Sequence, residues 1–140
     1  MKHFLIAIGV FLMDQFCKEK IEAKPATYDQ EILEGWITLT KYHNKGAFLN
    51  ALSKKPKVVL ALTSVMFGGV VSGLLHKPGW GLALLTGGAA SNLTDRIRKG
   101  YVVDYFTVRP LPQIVCNLGD VAIFLGAIGM LIESLKVDGK

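Results

Sequence analysis

Long stretches without a charged side chain are the feature that most constrains how this chain can fold. Residues 58–75 contain no charge over 18 positions, and residues 78–94 add 17 more. Each stretch is close to the roughly 20 apolar residues that a helix needs to span a bilayer. Two further apolar blocks lie at residues 4–13 and 114–132, the second interrupted only by Asn117 and Asp120. We therefore predict an all-α membrane protein with four transmembrane helices in a single domain, residues 1–140.

The predicted helices cover residues 4–21, 57–75, 79–97 and 117–135. Because only residues 76–78 separate the second helix from the third, these two form an antiparallel hairpin. Small residues at four-residue spacing let helix backbones approach closely in lipid. They occur at Gly69 and Gly73 in the second helix, and at Ala83, Gly87 and Ser91 in the third. The spacing predicts close packing at these positions.

The two long connections carry segments typical of β-strands. GWITLTKYH lies in residues 22–56 and YVVDYFTV in residues 98–115, both rich in β-branched and aromatic residues. We expect a small extramembrane β-element in the first of them. The net charge of +5 fits lysines that flank membrane helices among lipid headgroups, so no nucleic-acid partner is expected.

Two aspartates stand in short polar motifs near the entry to the last helix. Asp104 lies in VVDYF, and Asp120 ends CNLGD, directly before a long apolar run. An acid at the mouth of a membrane helix is costly and usually has a function. Two acids brought together could share one proton and activate a water molecule.

Other polar residues are predicted to gather at the same end of the helices. Asp14 and Lys18 share a helix face and can form an ion pair. The further members are Asn44 in the first connection, Asn92, Asp95 and Arg96 at the exit of the third helix, and Asn117 beside Asp120. Such a cluster fits a catalytic site, or a network of buried pairs that stabilises the helices. A non-enzymatic transporter with intramembrane acids is a third reading, but it requires polar groups along a path through the membrane.

The sequence contains no motif typical of a metal site or a cofactor site. Two cysteines and three scattered histidines make no metal-binding motif, and no glycine-rich phosphate loop is present. We therefore expect neither a metal nor another cofactor.

Five motifs in order resemble those of the lipoprotein signal peptidase (signal peptidase II) family, over nearly the whole chain. DQFCK resembles the family's Asp-Gln motif with its following Lys, and NKGAF resembles Asn-x-Gly-Ala-Ala-Phe. GGAASNLTDR is similar to the family's most distinctive string. VVDYF and CNLGD resemble the Val-Val-Asp-Phe and Phe-Asn-x-Ala-Asp motifs that hold the two catalytic aspartates.

The resemblance implies a role for each residue. Asp104 and Asp120 would be catalytic; Asn44, Asn92, Arg96 and Asn117 would orient the substrate and the two acids; and Asp14, Lys18 and Asp95 would brace the site. The implied substrate is a bacterial prolipoprotein with a diacylglyceryl-cysteine, cut before that cysteine by a monomer in contact with membrane lipids. A divergent paralogue with another lipidated substrate, or with little activity, is the alternative within the family.

The chain departs from the family motifs at three places. NKGAF is one residue shorter than its counterpart, Cys116 stands where phenylalanine is usual, and Gly119 stands where alanine is usual. These changes concern the fit of the substrate more than the chemistry, because both acids and their asparagines are present.

Two cues to the orientation of the chain in the membrane disagree, the distribution of basic residues and the family resemblance. Four basic residues lie on the side of the termini and twelve on the side of the long connections. The positive-inside rule alone would place both acids in the cytoplasm. The resemblance implies instead a multi-pass protein of the bacterial plasma (inner) membrane with its active site on the extracytoplasmic side, which is our expectation.

Overall fold

Four helices and four short strands alternate along the chain, which a computed structural model describes for residues 1–46 and 52–138. In chain order they are α1 (Lys2–Glu22), β1 (Asp29–Ile32), β2 (Ile37–Asn44), α2 (Pro56–His76), α3 (Trp80–Lys99), β3 (Val102–Val108), β4 (Leu111–Cys116) and α4 (Leu118–Asp138). Each helix lies where the apolar blocks predicted one, with ends that differ by one to three residues.

Local sequence explains several of these helix ends. Pro56 stands at the start of α2, where its fixed φ suits a helix and its missing N–H is not needed. Gly100 ends α3 in the left-handed conformation, with φ of 81°, and its N–H donates to the carbonyl of Arg96. The short turn that follows leads directly into β3, which is why the polar end of α3 lies beside that strand.

The α3 helix is central and packs against each of the other three helices. Its closest approach is to α4, where a Cβ on Gly81 would come within 2.8 Å of the Gly126 carbonyl oxygen. The predicted packing at Gly87 is confirmed, since a Cβ there would come within 2.5 Å of the Ala7 carbonyl oxygen in α1. The same prediction is wrong for Gly69, whose missing Cβ would meet nothing within 4 Å.

The strands form one antiparallel sheet in the order β1-β2-β3-β4. Both connections contribute to it, because β2 of the first pairs with β3 of the second, with Asn44 opposite Val102 and Tyr42 opposite Asp104. The predicted β-element is therefore larger than the first connection alone. Ile21 at the end of α1 packs with Val103 and Tyr105 of β3, which fixes the sheet against the helices.

Two helices are long and apolar enough to cross a membrane within the described residues, α2 and the segment Leu118–Leu135 of α4. Only 11% of the apolar window in α2 and 22% of that in α4 is buried inside the protein. A core helix of a soluble protein would be mostly buried, whereas most of each of these two windows is exposed in this structure. The charged residues predicted to support the site lie on the other two helices, α1 and α3, whereas Asp104 lies in β3 and Asp120 in α4.

Candidate active site

Asp104 lies in the middle of β3 and is 1% exposed. Both of its oxygens accept amide hydrogen bonds, Oδ2 from Asn44 Nδ2 at 3.0 Å and Oδ1 from Asn117 Nδ2 at 2.7 Å. Burial, and then the nearby charge of Asp120, raise the pKa of Asp104 to about 7, although the two amide donors oppose the shift. This carboxyl group is therefore partly protonated near neutral pH.

Asp120 lies in the first turn of α4, in a reciprocal cap with Asn117. The Asp120 N–H donates to Asn117 Oδ1 at 2.8 Å, and the Asn117 N–H donates to Asp120 Oδ2 at 3.3 Å. This is the arrangement of a capping box, in which the residue before a helix and the third helical residue satisfy each other's free N–H groups. The sequence N-L-G-D thus fixes the Asp120 carboxylate at the start of α4.

Asn117 and Asn92 tie the two acids to one network. Asn117 contacts both acids and also donates to Asn92 Oδ1 at 3.2 Å. Asn92 in turn donates from Nδ2 to Asp120 Oδ1 at 2.8 Å. Since Asn92 Oδ1 already accepts from Asn117, only its nitrogen is left to face the carboxylate.

A fully buried cation lies behind this network. Lys18 Nζ is 2.7 Å from Asp14 Oδ2 and 3.4 Å from Asp95 Oδ2, and its side chain is completely excluded from solvent. It also donates to Asn92 Oδ1 at 2.7 Å. The Asp14–Lys18 pair predicted from spacing is therefore present, and Lys18 reaches Asp120 through the Asn92 amide.

Asp95 and Arg96, at the end of α3, contact different parts of the site. Asp95 accepts from the Val103 N–H at 3.1 Å, which holds β3 beside α3 one residue before Asp104. Arg96 donates from Nη2 to the Gly46 carbonyl at 3.0 Å. The remaining residues of the NKGAF motif, Ala47 and Phe48, lie outside the described residues.

Three residues of the network were missed by the sequence analysis. Ser91 donates to Asp14 Oδ2 at 2.6 Å, and Gln15 donates to Ser91 Oγ at 2.9 Å. Tyr105 donates to Asp14 Oδ1 at 3.0 Å. Gln15 could have been found from its place in DQFCK. Ser91 was interpreted only as a small packing residue, and nothing in the sequence shows which element the Tyr105 hydroxyl faces.

A cavity of about 830 Å³ opens onto both acids. Asp104, Asp120, Asn44, Asn92 and Arg96 line its polar end. The rest of its wall is mostly apolar and comes mainly from the helices, including Met66, Phe67 and Val70 of α2, Leu85 and Ala89 of α3, and Ile123, Phe124 and Ala127 of α4. Within residues 1–46 and 52–138, no three histidine, cysteine or acidic side chains are grouped as they are around a metal ion.

Fold and site together define a helical protein with two largely exposed apolar helices and, at the polar end of one cavity, one buried and one partly buried carboxyl group. The chain matches the family described as signal peptidase II over residues 6–136. It therefore belongs to the signal peptidase II family, whose members are membrane aspartic peptidases.

Individual relatives are similar to this chain over most or nearly all of their length. The chain is 33% identical to the lipoprotein signal peptidase of Moorella thermoacetica, over 100% of this chain and 97% of the relative. It is also 33% identical to the lipoprotein signal peptidase of Brevibacillus brevis, over 100% and 98%. A solved structure described as a bacterial membrane enzyme superimposes with a TM-score of 0.87 and 25% identity, over 96% of this chain and 88% of that one. The enzyme reading is thus favoured over the transporter.

Proposed function

We propose that this protein removes signal peptides from diacylglyceryl-modified bacterial prolipoproteins, cleaving before the lipidated cysteine, with Asp104 and Asp120 as its catalytic residues. One observation carries the proposal: both carboxyl groups line one cavity, and both accept a hydrogen bond from Asn117, Asp104 from its side-chain amide and Asp120 from its backbone N–H. Family membership supplies the reaction class, and the lipoprotein signal peptidases similar to this chain supply the substrate class.

The chemistry needs one ionised and one protonated carboxyl group. We assign the proton donor to Asp104, because its pKa of about 7 leaves it partly protonated near neutral pH. Asp120, ionised, takes a proton from a water molecule while the water oxygen attacks the scissile carbonyl carbon, and Asp104 gives its proton to the carbonyl oxygen. The C–N bond then breaks as the proton held by Asp120 passes to the leaving amine, and one hydroxyl group of the tetrahedral intermediate returns a proton to Asp104.

The supporting polar residues hold this arrangement. Asn44, Asn92 and Asn117 orient the two acids by donating to their oxygens. Arg96 lines the same cavity and is placed to orient the substrate backbone or its lipid. Asp14, Lys18 and Asp95 form the buried ion-pair cluster that braces the site from behind.

The apolar wall of the cavity suits the rest of the substrate. A prolipoprotein offers an apolar signal-peptide helix and two acyl chains next to the bond to be cut. Met66 and Phe67 of α2 and Ile123 and Phe124 of α4 line the cavity, and apolar side chains of this kind bury such groups. The site thus combines a polar end for the peptide bond with an apolar wall for the lipid.

All four helices cross the membrane in this proposal, although α1 and α3 are more polar than α2 and α4. Their charged residues pair with one another, which lowers the cost of placing them near the bilayer. The protein then lies in the bacterial plasma membrane as a single-domain monomer in contact with lipids. The sheet and both acids are on the extracytoplasmic side, where exported prolipoproteins arrive.

Cleavage of a defined precursor tests the proposal. Purified protein is incubated with a diacylglyceryl-modified prolipoprotein and, separately, with the same precursor lacking the lipid. We expect release of the signal peptide from the lipidated precursor alone, and a product that begins with the lipidated cysteine in mass spectrometry. Asp104→Asn and Asp120→Asn should each lower the rate by at least about 10²–10⁴-fold, because an amide cannot act as general acid or base.

Asp29→Asn is the matched control, since Asp29 is an exposed carboxyl group of β1 and should tolerate the same change. Wild-type turnover in either active-site variant would refute the assignment of the two acids. A folded wild-type protein that leaves several lipidated precursors intact would favour the divergent paralogue.

A further inference from the structure

The hydroxyl group of Tyr105 joins two elements of the site that no backbone pairing connects. It donates to Asp14 Oδ1 of α1 at 3.0 Å and accepts the backbone N–H of Leu118, the first residue of α4, at 3.0 Å. The side chain is 5% exposed and packs in the cluster of Ile21 and Val103. Both hydrogen bonds are therefore shielded from water.

The two ends of this connection are next to the two acids. Tyr105 follows Asp104 in β3, and strand alternation turns its side chain away from the face that Asp104 uses. Leu118 begins α4 two residues before Asp120. One residue therefore links the strand that carries the first acid to the helical turn that carries the second.

The first turn of α4 depends on this contact more than an ordinary helix start does. The second residue of α4 is Gly119, where the Phe-Asn-x-Ala-Asp motif has alanine. Glycine leaves the backbone more conformational freedom than alanine does. The Val-Val-Asp-Phe motif has phenylalanine where this chain has Tyr105, and phenylalanine would supply the ring but neither hydrogen bond. The hydroxyl group thus restrains a turn that the glycine loosens.

We infer that Tyr105 is a positioning residue, whose hydroxyl group sets the place of Asp120 relative to Asp104 by anchoring the first N–H of α4. The inference rests on the proposed peptidase function for its effect on turnover, although the anchor itself is a property of the fold. Burial and the neighbouring Asp14 raise the pKa of Tyr105, so the hydroxyl group stays protonated and remains a donor. The ring does not line the cavity, so its role is distinct from substrate contact.

The test compares Tyr105→Phe with Tyr101→Phe. Both changes remove one phenolic hydroxyl group, but the hydroxyl of Tyr101 donates to Glu22 Oε1 at 3.1 Å, away from α4. With a diacylglyceryl-modified prolipoprotein as substrate, Tyr105→Phe should lower kcat by about 10-fold to 100-fold, because small displacements of reacting groups are costly. Its KM should stay within about two-fold of the wild type, because substrate contacts are unchanged. Tyr101→Phe should keep both constants.

A second readout does not depend on activity. Backbone amide hydrogen exchange should quicken in the peptide that covers residues 118–120 in Tyr105→Phe, and not in Tyr101→Phe. If the wild type fails to cleave the lipidated precursor, the proposed function fails, and the exchange measurement still decides whether the anchor exists. If Tyr105→Phe does not fold, Leu118→Pro removes the same N–H at a helix position that tolerates proline, and it should give the same loss of kcat. Wild-type kcat and wild-type exchange in these variants would overturn the inference.

Discussion

Asn117 donates a hydrogen bond of 2.7 Å to Asp104 Oδ1 while its own side-chain oxygen accepts the backbone N–H of the other acid. The residue that caps α4 is thus also the residue that joins the strand acid to the helix acid. Because one amide sets both positions, errors in its placement displace the two carboxyl groups relative to each other.

Asn117→Ala should therefore lower kcat by at least about 10²-fold, since Asp104 loses a donor to its carboxyl group and the backbone N–H of Asp120 loses its acceptor. The comparison is Asn44→Ala, which removes one donor from Asp104 and leaves the contacts of Asp120 in place. We expect the smaller loss for Asn44→Ala, measured as turnover per folded molecule with the lipidated precursor. Equal losses in the two variants would contradict the bridging role of Asn117.

Asp14→Ala should reduce stability more than turnover. Lys18 would keep Asp95 at 3.4 Å but lose its partner at 2.7 Å, and breaking a buried ion pair costs about 3–5 kcal/mol. Tyr105 would still accept the Leu118 N–H, so the start of α4 stays anchored. Thermal unfolding in detergent measures the first effect, and kcat per folded molecule measures the second.

Lys99→Ala is the control for this comparison. It removes a partly exposed partner from Asp95, and such pairs contribute about 1 kcal/mol or less. An Asp14→Ala protein with wild-type stability and no turnover would place Asp14 in the catalytic machinery instead.

Local patterns in the sequence could predict the helices and much of the polar cluster. Asp14 and Lys18 are one helical turn apart, so their shared face follows from helix geometry alone. Asn92, Asp95 and Arg96 follow in the same way from their spacing in α3. Because the hairpin of α2 and α3 fixes which helix ends lie together, the gathering of these residues at one end was also predictable.

Contacts between distant segments could not be predicted in this way. The pairing of β2 with β3 brings Asn44 to Asp104, 60 residues later, and no local pattern encodes it. The Tyr105 hydroxyl faces α1 and α4 only because the sheet packs at one angle against the helices. Gly69 shows the opposite error, since its spacing suits a helix contact that the arrangement of α2 does not provide.

Activity should fall as the pH rises above about 7, because Asp104 then loses the proton it donates. The fall should approach about tenfold per pH unit for loss of one essential proton. Asn44→Ala removes a donor that stabilises the ionised form of Asp104, so the pKa rises further and the alkaline limb moves to higher pH. The measurement is kcat/KM against pH for both proteins.

His43→Gln provides the control, because His43 is the histidine next to Asn44 in β2. Its imidazole is 3.0 Å from Glu22, away from the two acids. The alkaline limb should persist unchanged in this variant. Loss of the alkaline limb in His43→Gln would show that Asp104 is not the group responsible for it.

Gly119→Ala introduces the alanine that the Phe-Asn-x-Ala-Asp motif has at this position, and it should nevertheless destabilise this protein. A Cβ there would lie 2.8 Å from Asp14 Oδ2 and 3.0 Å from Asn117 Oδ1. Overpacking of this kind costs about 1–3 kcal/mol. Gly68→Ala in α2 is the control, because its Cβ would meet nothing within 4 Å. The changes in Tm of the two variants relative to the wild type should have opposite signs, with Gly119→Ala lowering it. Equal changes would contradict the close approach at Gly119.

Orientation is the prediction on which the charge pattern and the family disagree. Lipoprotein signal peptides are cut after export, so a site on the cytoplasmic face would not meet its substrate. We expect the sheet side, with its twelve basic residues, to face outward despite the positive-inside rule. The exposed members of this set then serve headgroup or substrate contacts instead of setting the topology, whereas Lys18 is buried in its ion pairs.

Single-cysteine labelling tests this orientation in a background lacking Cys17 and Cys116. A cysteine at exposed Lys54, on the sheet side, should react with a membrane-impermeant thiol reagent in intact spheroplasts. A cysteine at exposed Lys77, in the α2–α3 turn at the opposite end, should react only after lysis. Each position controls for the reactivity of the other. The reverse pattern would place both acids in the cytoplasm, where they could not process an exported precursor, and the proposed substrate would have to be abandoned.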